Sequence, residues 1–257
     1  MSKRRVVEPW NGKWNTKNTK NPKKREEEEI TVSARTSGQK RYIIEVQNND
    51  ITLCTGPAGT GKTVIAVGIG LQHIMAASSE YERMIIMRPV KEACDEHIGY
   101  LPGDLDEKMI PWAAPVVDNM ACFMDKSRIK HLFYEKKIEV LPLAYARGRS
   151  LNKAFIIVDE AQNCSPKQML MVLTRIGEGS KMVINGDLDQ SDAMHLVNGL
   201  EDAMKRLDGL HGLGITRLDR EDIVRHPMIR EILRRYQDGA EEETPVSATQ
   251  CILQEMT

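Results

Sequence analysis

The sequence predicts an α/β protein of three layers, in which helices cover both faces of a mostly parallel sheet. Two observations carry this prediction. Short apolar runs alternate with helical patterns from residue 50 onward, and a glycine-rich loop joins the first run to the first helical pattern. Strands that alternate with helices of this length form βαβ units, whose sheets are buried on both faces. The length of 257 residues suits a single core domain with a tail.

The predicted strands are five short apolar runs, each followed by turn or polar residues. They are ITLCTG (51–56), MIIMRP (84–89), FIIVDE (155–160), MVINGD (182–187) and GITRL (214–218). The helices predicted between them are Lys62 to Ala77, Pro166 to Gly177 and His195 to Leu207. Ligands of such sheets bind beyond the carboxyl ends of the strands, so the residues that follow each run are candidates for chemistry.

The connection between Pro89 and Leu151 is too long for a simple crossover, so we expect an insertion that carries function or contacts. It contains a predicted helix at 115–136 and a candidate strand, IEVLPL, at 138–143. After Leu218, the stretch DREDIVRHPMIREILRRY predicts a turn and then a helix.

The two ends of the chain are predicted to lie outside the domain, which spans 36–238. Residues 1–35 are rich in Lys, Asn and Glu and lack apolar periodicity, so a disordered basic and acidic tail is expected there. Trp10 and Trp14 lie in its basic part, where bases could stack on them while lysines contact phosphates. A nucleic-acid arm and a plain solvated tail both remain open. A second tail is predicted at 239–257.

The composition argues against two classes of protein. The five cysteines are scattered and form no C-x-x-C pair, which disfavours a zinc site and a secreted disulfide framework. No run reaches the roughly 18 apolar residues of a membrane span, and no apolar stretch follows the basic N-terminus as in a secretory signal. We therefore expect a cytoplasmic protein that makes no membrane contact.

Residues 56–63 match the phosphate-loop pattern G-x-x-x-x-G-K-[ST] in full, between a predicted strand and a predicted helix. The glycines let the backbone fold around phosphate oxygens, and the following helix adds its positive end. Lys62 is predicted to be the catalytic cation at the β- and γ-phosphates of ATP, and the Thr63 hydroxyl a ligand of Mg²⁺. The residues predicted to bind the nucleotide are Gly56, Pro57, Ala58, Gly59, Thr60, Gly61, Lys62 and Thr63.

Two carboxylates emerge at the end of the run FIIVDE and are expected to reach the loop from a neighbouring strand. Asp159 is predicted to bind Mg²⁺ through water, and Glu160 to polarise the attacking water as a general base. Asp159 taken alone could be a helix cap. The adjacent pair of acids, together with the phosphate loop, implies hydrolysis of ATP.

Three further residues are candidates for contacts with the nucleotide. Asp187 ends the run MVINGD and Gln190 follows it; both are expected beside the γ-phosphate, with Gln190 as a candidate catalytic residue, although GD after a strand is also a common turn. The Gln39 amide could pair with N6 and N7 of adenine, or Gln39 could equally be a surface residue of a helix.

Phosphoryl transfer usually benefits from an arginine at the γ-phosphate, often delivered by a neighbouring protomer. The sequence leaves the choice open, and each arginine alone is more often a surface or ion-pair residue. Arg225 is a candidate catalytic residue in this role. His97, His195 and His226 show no spacing typical of metal ligands and are interpreted as structural. The arginines considered are Arg88, Arg147, Arg149, Arg175 and Arg225.

Seven segments, in order between about Asp50 and Tyr236, resemble the PhoH-like family. They are GPAGTGKT, RPVKEA, GYLPGDLDEK, PLAYARGRSLNKAFIIVDEAQN, LTRIGEGSKMVINGD, DQSD and EDIVRHP. The resemblance implies a RecA-like P-loop ATPase core, akin to the first motor domain of superfamily-one helicases. The corresponding motifs fall on Gln39, Gly56–Thr63, Asp159–Glu160 and Gly186–Gln190.

The sequence thus predicts an ATPase that couples hydrolysis to binding or remodelling of single-stranded RNA or DNA. A single core makes a composite site only with a neighbour, so a homo-oligomer is expected, with a hexameric ring as one form. The alternative is a nucleotide-dependent switch or binding module without strand separation. A small-molecule kinase is disfavoured, because the Asp-Glu pair suits the activation of water better than a substrate hydroxyl.

Overall fold

The computed structural model describes residues 30–89, 114–190, 197–224 and 228. Six strands in these ranges form one sheet, and every strand pair is parallel. The strands are β1 (Ile51–Thr55), β2 (Arg83–Arg88), β3 (Ile138–Pro142), β4 (Ala154–Val158), β5 (Lys181–Gly186) and β6 (Leu213–Arg217). Their order across the sheet is β3-β2-β4-β5-β1-β6. The five predicted strands and the candidate strand at 138–143 are all present.

Helices flank this sheet, and most begin at a side chain that accepts a backbone N–H, as is usual for helix N-termini. They are α1 (Ser37–Asn48), α2 (Lys62–Met75), α3 (Lys126–Tyr134), α4 (Pro166–Leu173) and α5 (Gly199–Arg206), together with a helical segment at 114–120. Thr36, Asp125, Ser165 and Asn198 cap α1, α3, α4 and α5 in this way. The predicted three-layer α/β fold is confirmed.

The predicted single helix at 115–136 is wrong, because the chain turns at 121–125. The carboxylate of Asp125 accepts the N–H of Arg128 at 3.0 Å and so begins α3 as a separate helix. The 220–222 turn predicted after Leu218 is present. The helix predicted to follow that turn lies outside the described residues.

The core consists of two apolar clusters, one on each face of the sheet. On β4, Phe155 and Ile157 belong to the cluster that also contains residues of α1 and α2. Ile156 and Val158 belong to the other cluster, with residues of α4 and α5. Because side chains alternate across a strand, a strand that is apolar throughout must be covered on both faces. This arrangement explains why the strands of this protein are continuous apolar runs.

The position of β4, the strand that precedes the acid pair, differs from the sequence-based prediction. The sequence predicts that the acids at the end of β4 come from a strand next to β1, but β5 lies between β1 and β4. All the strands are parallel, so their carboxyl ends still meet at one edge of the sheet. The strand β5, which ends at Gly186 and is followed by Asp187, therefore lies between the phosphate-loop strand and the strand that precedes the acid pair.

The predicted tail at 1–35 overlaps the packed chain at its end. Ile30 is buried, and its carbonyl accepts a hydrogen bond from the Gln72 side chain of α2 at 2.7 Å. Packing of the chain thus begins before residue 36, because Ile30 and Val32 add to the apolar cluster that contains α2. Residues 1–29 and 239–257 lie outside the described ranges. Within those ranges, no helix is long and apolar enough to cross a membrane.

Candidate nucleotide-binding site

A cavity of about 360 Å³ opens at the carboxyl edge of the sheet. Its walls come from the loop after β1, the first turn of α2, and the residues that follow β4 and β5. The polar side chains on these walls include those of Lys62, Thr63, Asp159, Glu160, Asp187 and Gln190. Residues predicted separately from three motifs thus share one cavity.

The phosphate loop has the backbone conformation that its glycines predict. Gly59 and Gly61 have φ of 89° and 86°, in the left-handed region where a side chain would be strained. Lys62 follows as the first residue of α2, and its Nζ donates hydrogen bonds to the carbonyls of Gly56 (2.5 Å) and Pro57 (2.9 Å). The loop is therefore folded around the ammonium group that is predicted to contact phosphate.

Burial lowers the pKa of Lys62, while the nearby carboxylates of Asp159, Glu160 and Asp187 act in the opposite direction. A buried ammonium is poorly solvated, so an anion that enters the cavity gains a cation that water screens little. The ammonium of Lys62 is therefore the group of this cavity that attracts an anion, while the three carboxylates repel one.

The threonine of the loop contacts the first acid of the pair directly. Thr63 Oγ1 donates a hydrogen bond to Asp159 Oδ1 at 2.8 Å. Asp159 is 7% exposed, and burial, followed by the charge of Glu160, raises its pKa. The Thr63 hydrogen bond and the cations of Arg88 and Lys62 act against this rise. A hydroxyl and a carboxylate held together in this way form an oxygen donor pair of the kind that Mg²⁺ prefers.

Glu160 has φ of 57°, which is unusual for a residue other than glycine. Its carboxylate is held on two sides. Gln162 Nε2 donates to Glu160 Oε2 at 2.7 Å, and the guanidinium of Arg88 lies 3.5 Å from Glu160 Oε1. The same guanidinium lies 3.8 Å from Asp159 Oδ2. Arg88 at the end of β2 thus joins both acids.

Sequence reasoning missed Gln162, which is only 2% exposed. Its side chain joins two strand ends, because Nε2 donates to Glu160 while Oε1 accepts the backbone N–H of Asp187 at 3.0 Å. Its carbonyl accepts from Asn198 Nδ2 at 2.9 Å, at the start of α5. The available signal was its place two residues after the second acid, in the segment DEAQN. Asn119, which also lines the cavity, had no signal in the sequence.

Asp187 and Gln190 lie on the cavity wall, as predicted, although what they contact in a nucleotide complex stays a prediction. Asp187 is buried, and this burial raises its pKa, against which the charge of Lys62 acts. Gln190 is exposed at the end of a short turn, Leu188–Gln190. Its amide is therefore accessible to a ligand.

Gln39 is not the accessible amide that adenine pairing would need. It is 4% exposed, its Nε2 donates to the Thr60 carbonyl at 2.9 Å, and its Oε1 accepts the N–H of Arg35 at 2.7 Å. In this arrangement Gln39 supports the phosphate loop from behind. Pairing with adenine stays a prediction, and it requires both of these hydrogen bonds to be exchanged.

The five arginines considered from the sequence have different surroundings. Arg88 contacts the acid pair, Arg149 forms an ion pair with Glu139, and Arg175 donates to backbone carbonyls. Arg147 is exposed. Arg225 lies outside the described residues, but Val224 before it lines the cavity and donates its N–H to the Gly59 carbonyl at 3.0 Å.

A buried carboxylate links the start of α1 to the turn before Val224. Asp222 accepts hydrogen bonds from Thr36 Oγ1 at 2.5 Å and from the Gly38 N–H at 3.1 Å. It also accepts the N–H of Asp219 at 3.1 Å. This carboxylate lies at the N-terminal end of α1, where the helix dipole favours negative charge. Two distant segments, SGQ and EDIV, are thereby fixed behind the phosphate loop.

The fold and the site together define a P-loop NTPase fold, in which an acid pair follows a strand that is not adjacent to the phosphate-loop strand. The family model described as PhoH-like protein matches residues 31–237. The chain belongs to this PhoH-like family.

Relatives from bacteria match most of the chain. A PhoH-like protein from Synechocystis sp. is 43% identical over 215 residues, which cover 83% of this chain and 65% of that protein. A PhoH-like protein from Bacillus subtilis is 39% identical, with 92% of this chain and 72% of the relative covered. Protein PhoH from Escherichia coli is 36% identical, with 80% and 58% covered. The chain thus spans between about half and three quarters of the length of these relatives.

Among solved structures, the large terminase from a thermophilic bacteriophage, in complex with ADP, matches with a TM-score of 0.41 and 14% identity. The match covers 78% of this chain and 49% of the terminase chain.

Proposed function

We propose that the chain binds ATP with Mg²⁺ and hydrolyses it, and that hydrolysis is coupled to binding or remodelling of single-stranded RNA or DNA. The observation that carries the proposal is the 2.8 Å contact between Thr63 Oγ1 and Asp159 Oδ1, with Glu160 on the wall of the same cavity. A loop that only binds phosphate does not require a second carboxylate there. An acid pair at this point supports the activation of water.

In this proposal the residues have separate tasks. Lys62 exchanges the carbonyls of Gly56 and Pro57 for the β- and γ-phosphate oxygens. Thr63 and Asp159 would hold Mg²⁺, with phosphate oxygens and water as its other ligands. The bound ion would neutralise charge on the phosphates. Within the described residues no cluster of three His, Cys, Asp or Glu side chains could hold a metal alone, which fits an ion bound together with its nucleotide.

Glu160 accepts the proton of the attacking water in this proposal, and two contacts hold its carboxylate in place. Gln162 and Arg88 lie on either side of the carboxylate, at 2.7 and 3.5 Å. Orientation of a base by fixed neighbours reduces the reorganisation needed for reaction. Asp187, directly after β5, and Gln190, at the end of the next turn, are proposed to lie beside the γ-phosphate.

A guanidinium at the γ-phosphate is the remaining requirement. In the described part of the chain no arginine lines the cavity. The proposal therefore assigns this role to Arg225, next to the cavity-lining Val224, or to an arginine of a neighbouring copy in a homo-oligomer. A hexameric ring would be one such assembly. If light scattering with ATP present gives the mass of a monomer at micromolar concentration, the oligomer proposal fails.

The experiment that tests the function is an ATPase assay with and without single-stranded RNA or DNA, on material of measured mass. Stimulation of hydrolysis supports coupling to nucleic acid. Hydrolysis without stimulation, combined with nucleotide-dependent assembly, would support a switch instead. A complete lack of hydrolysis with Mg²⁺ present would contradict the role given to the acid pair.

A further inference from the structure

The turn that follows the edge strand β3 exposes an aromatic ring and a guanidinium at the same edge of the sheet as the nucleotide site. The chain leaves β3 through the turn Leu143–Ala146 and continues to Arg147 and Gly148. Tyr145 is 57% exposed, and Arg147 is also exposed. Neither side chain has a partner among the described residues. We name residues 145–148 the YARG turn.

The YARG turn is held firmly from both sides. Leu143 and Ala146 are buried in the core cluster that also contains Val158 of β4. After the turn, Arg149 donates from both terminal nitrogens to the carboxylate of Glu139 on β3, at 2.8 and 3.1 Å. A bidentate pair of this kind fixes orientation as well as distance. Ligand binding to the turn would therefore cost little ordering of its backbone.

We propose that the YARG turn is a contact surface for single-stranded nucleic acid, with a base stacked on Tyr145 and a phosphate paired with Arg147. The inference rests on the proposed function and names the site of its partner. A ring face accepts any base, and a guanidinium pairs well with phosphate oxygens. At Gly148, with φ of 78°, no heavy atom of another segment lies within 4 Å of the position of an added Cβ, so the backbone at this point faces open space.

The sheet connects this surface to the acid pair. Pro142, the last residue of β3, is paired in register with Arg88, the last residue of β2. Arg88 contacts Asp159 and Glu160 at the next strand, β4. Two strand spacings, or about 10 Å, therefore separate the end of β3 from the end of β4. A nucleic acid bound at the YARG turn is therefore placed to influence ATP hydrolysis through Arg88.

The test uses the full chain, with short oligouridylate and oligothymidylate labelled for fluorescence anisotropy at several salt concentrations. Tyr145→Ala is expected to weaken binding about five- to a hundredfold, because one base loses its stacking partner, and Tyr145→Phe is expected to bind as wild type. Arg147→Ala is expected to reduce the salt dependence by about one phosphate contact, which Arg147→Lys retains.

Tyr134→Ala is the matched control. Tyr134 is 86% exposed, but it ends α3 and precedes the N-terminal end of β3. The YARG turn follows the C-terminal end of that strand. This variant should bind nucleic acid as wild type does. ATP hydrolysis without nucleic acid should be unchanged in the Tyr145 and Tyr134 variants, and stimulation should fall only in Tyr145→Ala and Arg147→Ala.

The outcomes separate this inference from the function on which it rests. If wild type binds and is stimulated while Tyr145→Ala and Arg147→Ala behave like it, the surface is wrong and the function stands. If wild type neither binds nor responds to either oligonucleotide, the nucleic-acid part of the function fails and the surface with it. If Arg147→Ala instead lowers the mass measured by light scattering and leaves nucleic-acid binding intact, the turn is an interface between copies, and the inference is overturned.

Discussion

Thr63 Oγ1 and Asp159 Oδ1 are 2.8 Å apart although 96 positions separate them in the sequence. Thr63 lies in the first turn of α2, and Asp159 follows β4 on the far side of β5. The register explains how they meet: Thr55 of β1 pairs with Gly186 of β5, and Val158 of β4 pairs with Ile184. All three strands are parallel and end at the same edge of the sheet, so Thr63 and Asp159 meet beyond the end of β5.

Removal of the Thr63 hydroxyl should therefore impair Mg²⁺-dependent nucleotide binding. Thr63→Ala is expected to weaken ATP binding in the presence of Mg²⁺ at least about tenfold, because one oxygen ligand of the ion is lost. Thr63→Ser keeps the hydroxyl and should bind nearly as wild type. Titration with a fluorescent ATP analogue measures the affinity of each variant, once with Mg²⁺ and once with EDTA. Equal affinities of the two variants with Mg²⁺ would contradict the ligand role.

The second acid should affect hydrolysis and not binding. Glu160→Gln keeps the shape of the side chain but cannot accept the proton, so hydrolysis should fall about a hundredfold or more while ATP affinity is kept. Single-turnover hydrolysis and equilibrium binding are the two measurements. Normal hydrolysis by this variant would show that the role given to Glu160 is wrong.

Gln162 should act as a positioning residue for Glu160. Gln162→Ala removes the 2.7 Å bond to Glu160 and leaves the Asp187 N–H without its acceptor. We expect kcat to fall about tenfold or more while the affinity for ATP changes little, because the loop contacts remain. A parallel rise in KM with unchanged kcat would indicate a role in binding instead. The melting temperatures of Gln162→Ala and of wild type show whether the fold of the variant is intact.

The sequence predicts the parts of this site better than their relation to one another. The phosphate loop is recognisable because left-handed glycines, a lysine and a hydroxyl must occur at fixed spacing. The acid pair is recognisable because two adjacent carboxylates follow a buried apolar run in a chain that also carries the phosphate loop. Each of these signals is local to one segment.

The rest depends on contacts between distant segments, which a single sequence does not encode visibly. The insertion of β5 between β1 and β4 follows from how the crossovers pack, and no residue pattern reports it. Gln39 fits an adenine contact by its residue type, yet its amide bonds to Thr60 and Arg35. The break between the two helices at 121–125 is not predicted, because in the sequence Asp125 looks like an acid on the surface of a helix. Only the structure shows that it caps α3.

Asp159 should destabilise the fold when no nucleotide is bound. Its pKa is raised by burial, so its protonated form suits the folded state better. Protonated Asp159 therefore favours the folded state. Its favourable contribution to the free energy of unfolding is complete below the ordinary pKa of 3.8 and is lost as the pH rises through the raised value. At pH 7, without Mg²⁺, Asp159→Asn should therefore raise the melting temperature, by roughly 2–4 °C for each kcal/mol of relief.

This difference in melting temperature should shrink as the pH falls toward the ordinary value of an aspartate. Differential scanning fluorimetry between pH 4 and pH 8 measures it, and Asp118→Asn, at an exposed position of the 114–120 segment, is the control. A lower melting temperature of Asp159→Asn than of wild type at pH 7 would contradict the destabilisation.

Gly38→Ala should destabilise the support behind the phosphate loop. A Cβ at Gly38 would lie 2.2 Å from Asp222 Oδ2, and this carboxylate also accepts from Thr36 and from the Gly38 N–H. The helix must shift or the carboxylate must leave its donors, at a cost of about 1–3 kcal/mol. Ser37→Ala, at an exposed position next to Gly38, should have little effect on stability.

The Gly38→Ala substitution should also weaken ATP binding. The turn that holds Asp222 leads to Val224, whose N–H bonds to the Gly59 carbonyl, so ATP affinity should fall together with stability in Gly38→Ala. A variant that melts like wild type and binds ATP normally would mean that Asp222 can move freely and does not support the loop.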